Sequence, residues 1–188
     1  MISDVAAVVA RHDPAAWLRS LRHRPRRALP YDASIVPPDA QLLLDTTVYI
    51  DQLKGQLPAA IVALVASRAI VHAAPVLAEL AVTVGALDPR DPRTAATLAP
   101  IVDTLRHVPP QRIVAPSEEA WLEGAALAGI LARTQGIAKG DRRRFLNDVL
   151  TFLMAAEVGA ILVSRNARDV DLLLQMKPEV RALLYERA

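Results

Sequence analysis

The chain contains no cysteine. Without a thiol there is no disulfide framework, no thiolate nucleophile and no cysteine-ligated zinc or iron centre. Aromatic residues are scarce, at 4% of 188 positions, so the core has to be built from aliphatic side chains. Long uncharged runs are missing too. The longest covers residues 55–67, 13 positions between Lys54 and Arg68, against the roughly 20 apolar residues that a membrane helix needs. No membrane span is expected. The start of the chain lacks the basic residues of a secretory signal and carries Asp4 instead, so the protein is read as cytoplasmic. Lysine is nearly absent, with Lys54, Lys139 and Lys177 the only three among 22 basic residues.

What remains is a chain 53% hydrophobic and 22% charged, with a net charge of only +2, which is the composition of a globular protein. Its length fits one domain with a short appendage. Residues 1–40 hold five of the 14 prolines (Pro14, Pro25, Pro30, Pro37, Pro38) and the cluster Arg22-His23-Arg24-Pro25-Arg26-Arg27. They read as a helical, Arg- and Pro-rich N-terminal extension and linker. Val5, Val8 and Val9 share one helical face, and Asp13-Pro14 reads as an N-cap opening a second helix through Trp17, Leu18 and Leu21. Both helices are expected to dock on the rest, leaving the Arg cluster free in solvent.

Residues 41–188 read as a single domain of alternating strands and helices. Apolar runs predict strands at 42–44, 69–71, 112–114 and 160–163. Helical periodicity and caps predict helices at 46–53, 58–67, 75–85, 94–107, 117–136, 141–157 and 167–175, with Ser117 and Asp141 capping two of them. The pattern implies a three-layer α/β/α sandwich around a mostly parallel sheet of four to five strands.

In such sheets ligands bind beyond the carboxyl ends of the strands. Asp45 directly follows the first strand, and Ser164-Arg165-Asn166-Ala167-Arg168-Asp169 follows the fourth. Glu79 is the only charge between Arg68 and Asp88, and Asn147-Asp148 interrupts an otherwise apolar helix. An unpartnered carboxylate in apolar surroundings is costly. Several acids brought to one edge raise one another's pKa unless a cation sits among them, which implies a hard divalent ion. His12, His23, His72 and His107 show no ligand spacing and read as structural or exposed. Arg142, Arg143 and Arg144, one turn before Asp148, suit phosphate contacts, with a solvated helix start as the alternative.

These residues carry a family resemblance. Leu42-Leu43-Leu44-Asp45-Thr46-Thr47-Val48-Tyr49-Ile50-Asp51 resembles the opening LDTNVLID motif of PIN-domain nucleases. Ala78-Glu79-Leu80, Asn147-Asp148 with Ala155-Ala156-Glu157-Val158-Gly159-Ala160, and Leu162-Val163-Ser164-Arg165-Asn166-Ala167-Arg168-Asp169 are similar to the second, third and fourth motifs. The order and spacing agree over about three quarters of the chain, and the compact size resembles VapC-type toxins of bacterial toxin–antitoxin pairs. Thr47 stands where the family usually has Asn, and Asn166 where many relatives have Asp.

The resemblance implies a PIN-like nuclease domain at 41–188 and a metal-dependent endoribonuclease. It implies that Asp45, Glu79, Asp148 and Asp169 or Asn166 hold Mg²⁺ or Mn²⁺, and that Ser164 positions a water or a ligand carboxylate. Arg142, Arg143, Arg144 and Arg165 are the expected RNA contacts, with Tyr49 a core residue or a base-stacking one. The implied partners are an RNA substrate, a cognate antitoxin and a second copy of the chain, with no membrane. Two alternatives remain. One is a non-catalytic PIN-like RNA-binding or scaffold module. The other is a phosphatase of the haloacid dehalogenase type, which needs an Asp where Thr47 stands.

Overall fold

The computed structural model describes residues 5–188, so Asp4 lies outside the described residues. Strands β1 (Leu42–Leu44), β2 (Ile70–Ala73), β3 (Ile113–Val114), β4 (Ile161–Ser164) and β5 (Ala182–Leu184) form one parallel sheet in the order β3-β2-β1-β4-β5. The fifth strand is the terminal segment that sequence left unassigned. Leu42, Leu43 and Leu44 are at most 2% exposed, as a strand covered on both faces requires.

Helices α2 (Thr46–Leu53), α3 (Ala59–Ser67), α4 (Ala74–Ala86), α5 (Thr94–Arg106), α6 (Glu118–Thr134), α7 (Arg142–Glu157) and α8 (Ala167–Met176) connect the strands. None of the described helices is long and apolar enough to cross a membrane. Ser117 caps α6 by accepting the Ala120 N–H at 3.0 Å. Asp141 does not cap α7 as expected. It makes no capping hydrogen bond, because a 3₁₀ turn (Lys139–Asp141) with helical backbone angles runs straight into the helix. Two glycines place α7. A Cβ on Gly124 of α6 would stand 3.1 Å from Leu150 Cδ2, so glycine permits the close α6–α7 approach. Gly159, at φ +67°, turns the chain from α7 into β4.

The first three strands step outward from β1 in one direction, and the last two in the other. The reversal lies between β1 and β4, and the crevice it opens at their carboxyl ends is where such sheets bind ligands.

Helix α1 (Val5–Ala10) packs on α6 with Val8 2% exposed. The expected second helix is instead a single 3₁₀ turn (Pro14–Ala16). The Pro14 and Trp17 carbonyls, which a helix would have used internally, accept Arg133 Nη2 at 3.1 and 3.0 Å. The expectation of a free Arg cluster also fails. Arg24 pairs with Asp171 at 2.6 Å, and Arg26 pairs with Glu186 at 2.9 Å and lies 4.5 Å over the Tyr31 ring. The Pro30 carbonyl then accepts the Leu184 N–H at 2.7 Å, covering the outer edge of β5. Residues 22–32 thus form a strap across α8 and β5.

Asp51, on α2, has no exposed surface. Its carboxylate accepts Arg165 Nε at 2.7 Å, Tyr185 Oη at 3.0 Å and Arg187 Nε at 2.9 Å, which together outweigh burial and hold its pKa below the usual value. A depressed carboxyl stabilises the fold above about pH 4, where the unfolded chain is ionised, and loses that contribution as pH falls through the folded value. Asp51→Asn is therefore expected to lower stability at pH 7 and to flatten its decline between about pH 5 and 2. Chemical unfolding across that range is the measurement, and parallel curves for the two proteins would contradict it.

Candidate functional site

Five of the residues expected to act together, Asp45, Asp148, Ser164, Asn166 and Asp169, line with Thr151, Leu162, Val170 and Leu173 one small void of about 10 Å³ under the β1–β4 crevice. That is close to the volume of one water-sized sphere. Asp45 leaves the end of β1, and its Oδ2 accepts the Ser164 hydroxyl at 2.6 Å and the Thr47 hydroxyl at 2.7 Å. Ser164, the last residue of β4, is 1% exposed, and its Oγ also accepts the Asn166 N–H at 2.9 Å. Asn166 in turn accepts the Asp169 N–H as the cap of α8 and donates Nδ2 to Asp169 Oδ2 at 2.8 Å. One polar chain thus joins Asp45, Ser164, Asn166 and Asp169, and Asn166 serves as support for the acid.

Glu79 does not line the void. It is tied to Thr46 Oγ1 at 2.5 Å and Asn147 Nδ2 at 3.3 Å. Among the described residues no three acidic or histidine side chains enclose a common ion position. The acids nevertheless act on one another electrostatically. Burial, then the charges of Asp45, Glu79 and Asp169, push the Asp148 carboxyl up to about 8, with Arg144 opposing. Burial also raises Asp45, while the Ser164 and Thr47 hydroxyls pull the other way. Asp148 accepts no hydrogen bond among the described residues. The donor set is therefore all hard oxygen and short of positive charge, which by its chemistry fits Mg²⁺ or Mn²⁺, while among the described residues the acids do not converge on one ion position.

Beside the void lies an open groove of about 800 Å³. Arg144, Arg165 and Arg168 line it, whereas Arg142 and Arg143 are exposed and do not. Arg165 is already committed through Nε to Asp51. Tyr49 is a core residue, 4% exposed, with its hydroxyl 2.6 Å from His72 Nδ1. Three histidines are structural or exposed as expected: His12 pairs with Glu123, His72 with Tyr49 and His107 with Asp103. His23 is exposed, also as expected, but it lines the groove, as does Arg168, and neither was named as a groove residue from the sequence. Nothing in the local sequence marks His23, because its position depends on a contact with Asp171, 148 residues away.

A parallel β3-β2-β1-β4-β5 sheet between helical layers, with acids gathered at the β1–β4 edge, defines a PIN-like α/β/α sandwich. Chains of three solved complexes share this fold. VapBC2 from Rickettsia felis, bound to a DNA fragment from its promoter, matches with a TM-score of 0.51 and 16% identity over 78% of this chain and 99% of that chain. VapBC-5 of the VapBC toxin–antitoxin family from Mycobacterium tuberculosis matches with a TM-score of 0.51 and 22% identity over 78% of this chain and 99% of that one. FitAcB from Neisseria gonorrhoeae matches with a TM-score of 0.52 and 20% identity over 76% and 96%. No protein-family model and no curated protein match the chain significantly.

A carboxyl raised to about 8 disfavours the fold increasingly as pH rises from about 4, where the unfolded chain ionises, to about 8, where the penalty is complete. In chelator, Asp148→Asn is expected to melt higher than wild type, by at least about 2–4 °C at pH 8.5. The gap should shrink at pH 5. A thermal melt series reads it, and a variant that melts lower at pH 8.5 would refute the repulsion.

Proposed function

We propose that the protein is a metal-dependent endoribonuclease and the toxin of a bacterial toxin–antitoxin pair. The observation that carries this reading is the gathering of Asp45, Asp148 and Asp169 in the lining of one small void at the β1–β4 crevice, with Asp148 pushed up by burial and then by its acidic neighbours. When bound, Mg²⁺ or Mn²⁺ held by Asp45, Asp148, Asp169 and, after release from its present partners, Glu79 supplies water activation and charge neutralisation for phosphodiester hydrolysis. Ser164 and Thr47 fix the Asp45 carboxylate, and Asn166 fixes that of Asp169. Arg144 and Arg168 face the same groove and are the chain's means of holding flanking phosphates.

The toxin assignment is supported by the kind of complex in which the similar folds occur. A cognate antitoxin and a second copy of this chain are the partners we infer. Exposed apolar side chains, among them Val62 of α3 at 50% and Val82 of α4 at 67%, are the observation behind association.

The test is cleavage of a panel of single-stranded and looped RNAs by purified protein in Mn²⁺ or Mg²⁺. Wild type should cut, while Asp45→Asn and Asp148→Asn should lose at least about 100-fold in rate with the fold intact. Millimolar metal should raise the melting temperature of wild type and leave both variants unmoved. Cleavage unaffected by chelator, or by either substitution, would exclude the metal site. Sedimentation at tens of micromolar should show a dimer, and a monomer there would refute self-association.

A further inference from the structure

Part of the groove's lining comes from the N-terminal strap, far in sequence from the motifs at the sheet edge. His23 of the strap lines it together with Arg144, Arg165 and Arg168 and with Asp148 and Asp169. The strap is pinned at this point. Asp171 of α8, 1% exposed, accepts the Arg24 backbone N–H at 2.8 Å and Arg24 Nε at 2.6 Å, and the Arg22 carbonyl accepts Gln175 Nε2 at 3.1 Å. Positions 22 and 24 are thereby tied to α8 on both sides of His23. Within the imidazole, Nδ1 lies 3.2 Å from Asp171 Oδ2, and an ionised carboxylate only accepts, so Nδ1 carries the proton. Nε2 is left as the ring's uncommitted nitrogen on a side chain 45% exposed.

The groove is open rather than enclosed, and its volume is near the top of the roughly 300–1,000 Å³ range of small-molecule pockets. A groove lined by cations suits a single-stranded nucleic acid backbone, and an imidazole nitrogen beside them can meet the ribose hydroxyl.

We propose that the strap is a substrate subsite, in which His23 Nε2 accepts a hydrogen bond from the ribose 2′-hydroxyl of a single-stranded RNA nucleotide flanking the scissile phosphate, while Arg144 and Arg168 meet the phosphates. The subsite rests on the ribonuclease reading and deepens it, because it gives residues 1–40 a part in binding substrate. Its anchor is a buried ion pair, so the subsite is preformed and needs no ordering when RNA arrives.

Imidazole ring NMR of the full chain carrying Asp148→Asn, titrated with a short single-stranded RNA, reads the contact directly. Only four histidines are present, and His12, His72 and His107 do not line the groove and serve as internal controls. The His23 Nε2 signal should move while the other three stay still. In the otherwise wild-type protein, His23→Ala should raise KM for RNA cleavage by up to about tenfold with kcat within about twofold, and His23→Gln should recover part of the loss. A silent His23 signal with an RNA that wild type cleaves, or a wild-type KM in His23→Ala, overturns the subsite and leaves the nuclease reading standing. A His23 signal that moves with an RNA that wild type cannot cleave supports the subsite and refutes the nuclease. RNA that neither moves His23 nor is cleaved overturns both.

Discussion

Asp51 is sealed from solvent, and three side chains from the end of the chain and the end of β4 close on its two oxygens. The carboxylate belongs to α2, Arg165 to the turn after β4, and Tyr185 and Arg187 to the residues after β5. One buried charge therefore ties the helix that follows β1 to the exits of the two strands on the other side of the crevice. Removing a partner from such a charge typically costs about 3–5 kcal/mol, because the remaining charge has no water to turn to. The relative placement of Asp45, at the start of α2, and Ser164, next to Arg165, depends on this junction. The Arg165 backbone N–H donates to Thr47 Oγ1 at 3.1 Å, and Thr47 donates to Asp45, so the link from ion pair to candidate ligand runs through two hydrogen bonds.

The same rule is met at Asp171 and Glu123. Asp171 takes Arg24 and His23 from the strap, and Glu123, 7% exposed, takes His12 and Lys177. Both carboxyls are held below their ordinary range by these partners despite burial. Each of the three buried acids remote from the crevice thus has a cation from a distant part of the chain. At the crevice the rule is suspended. Asp45 receives only hydroxyls and backbone, and Asp148 receives no hydrogen bond among the described residues, with the Arg144 charge opposing its acidic neighbours. These acids, unlike those elsewhere, are left short of positive charge, and on the function proposed above a cation would make up that shortfall.

The N-terminal segment departs from what its composition suggested, a docked helical pair followed by a free basic cluster. Here Arg24 and Arg26 are fasteners, since both reach carboxylates in the C-terminal third of the chain. Long-range ion pairs of this kind leave no trace in local spacing.

The elements themselves were largely determined by local sequence. Leu42–Leu44 and Ile161–Ser164 are apolar runs too short for helices, and the caps and periodicities around Ser117, Pro75 and Gly159 bound their helices to within a residue or two. The acids that matter also stood out in sequence, because Asp45, Glu79 and Asp148 each interrupt apolar surroundings. Three things were decided only in the folded chain. Glu79 faces Thr46 and Asn147 rather than the void, Asn166 supports Asp169 rather than standing in for it, and His23 belongs to the groove. The physical reason is common to all three. Burial propensity and periodicity act over a few residues, whereas the partner of a polar side chain is chosen by whichever donors the sheet order and helix packing bring within about 3 Å, and those lie here from 3 to 148 residues away.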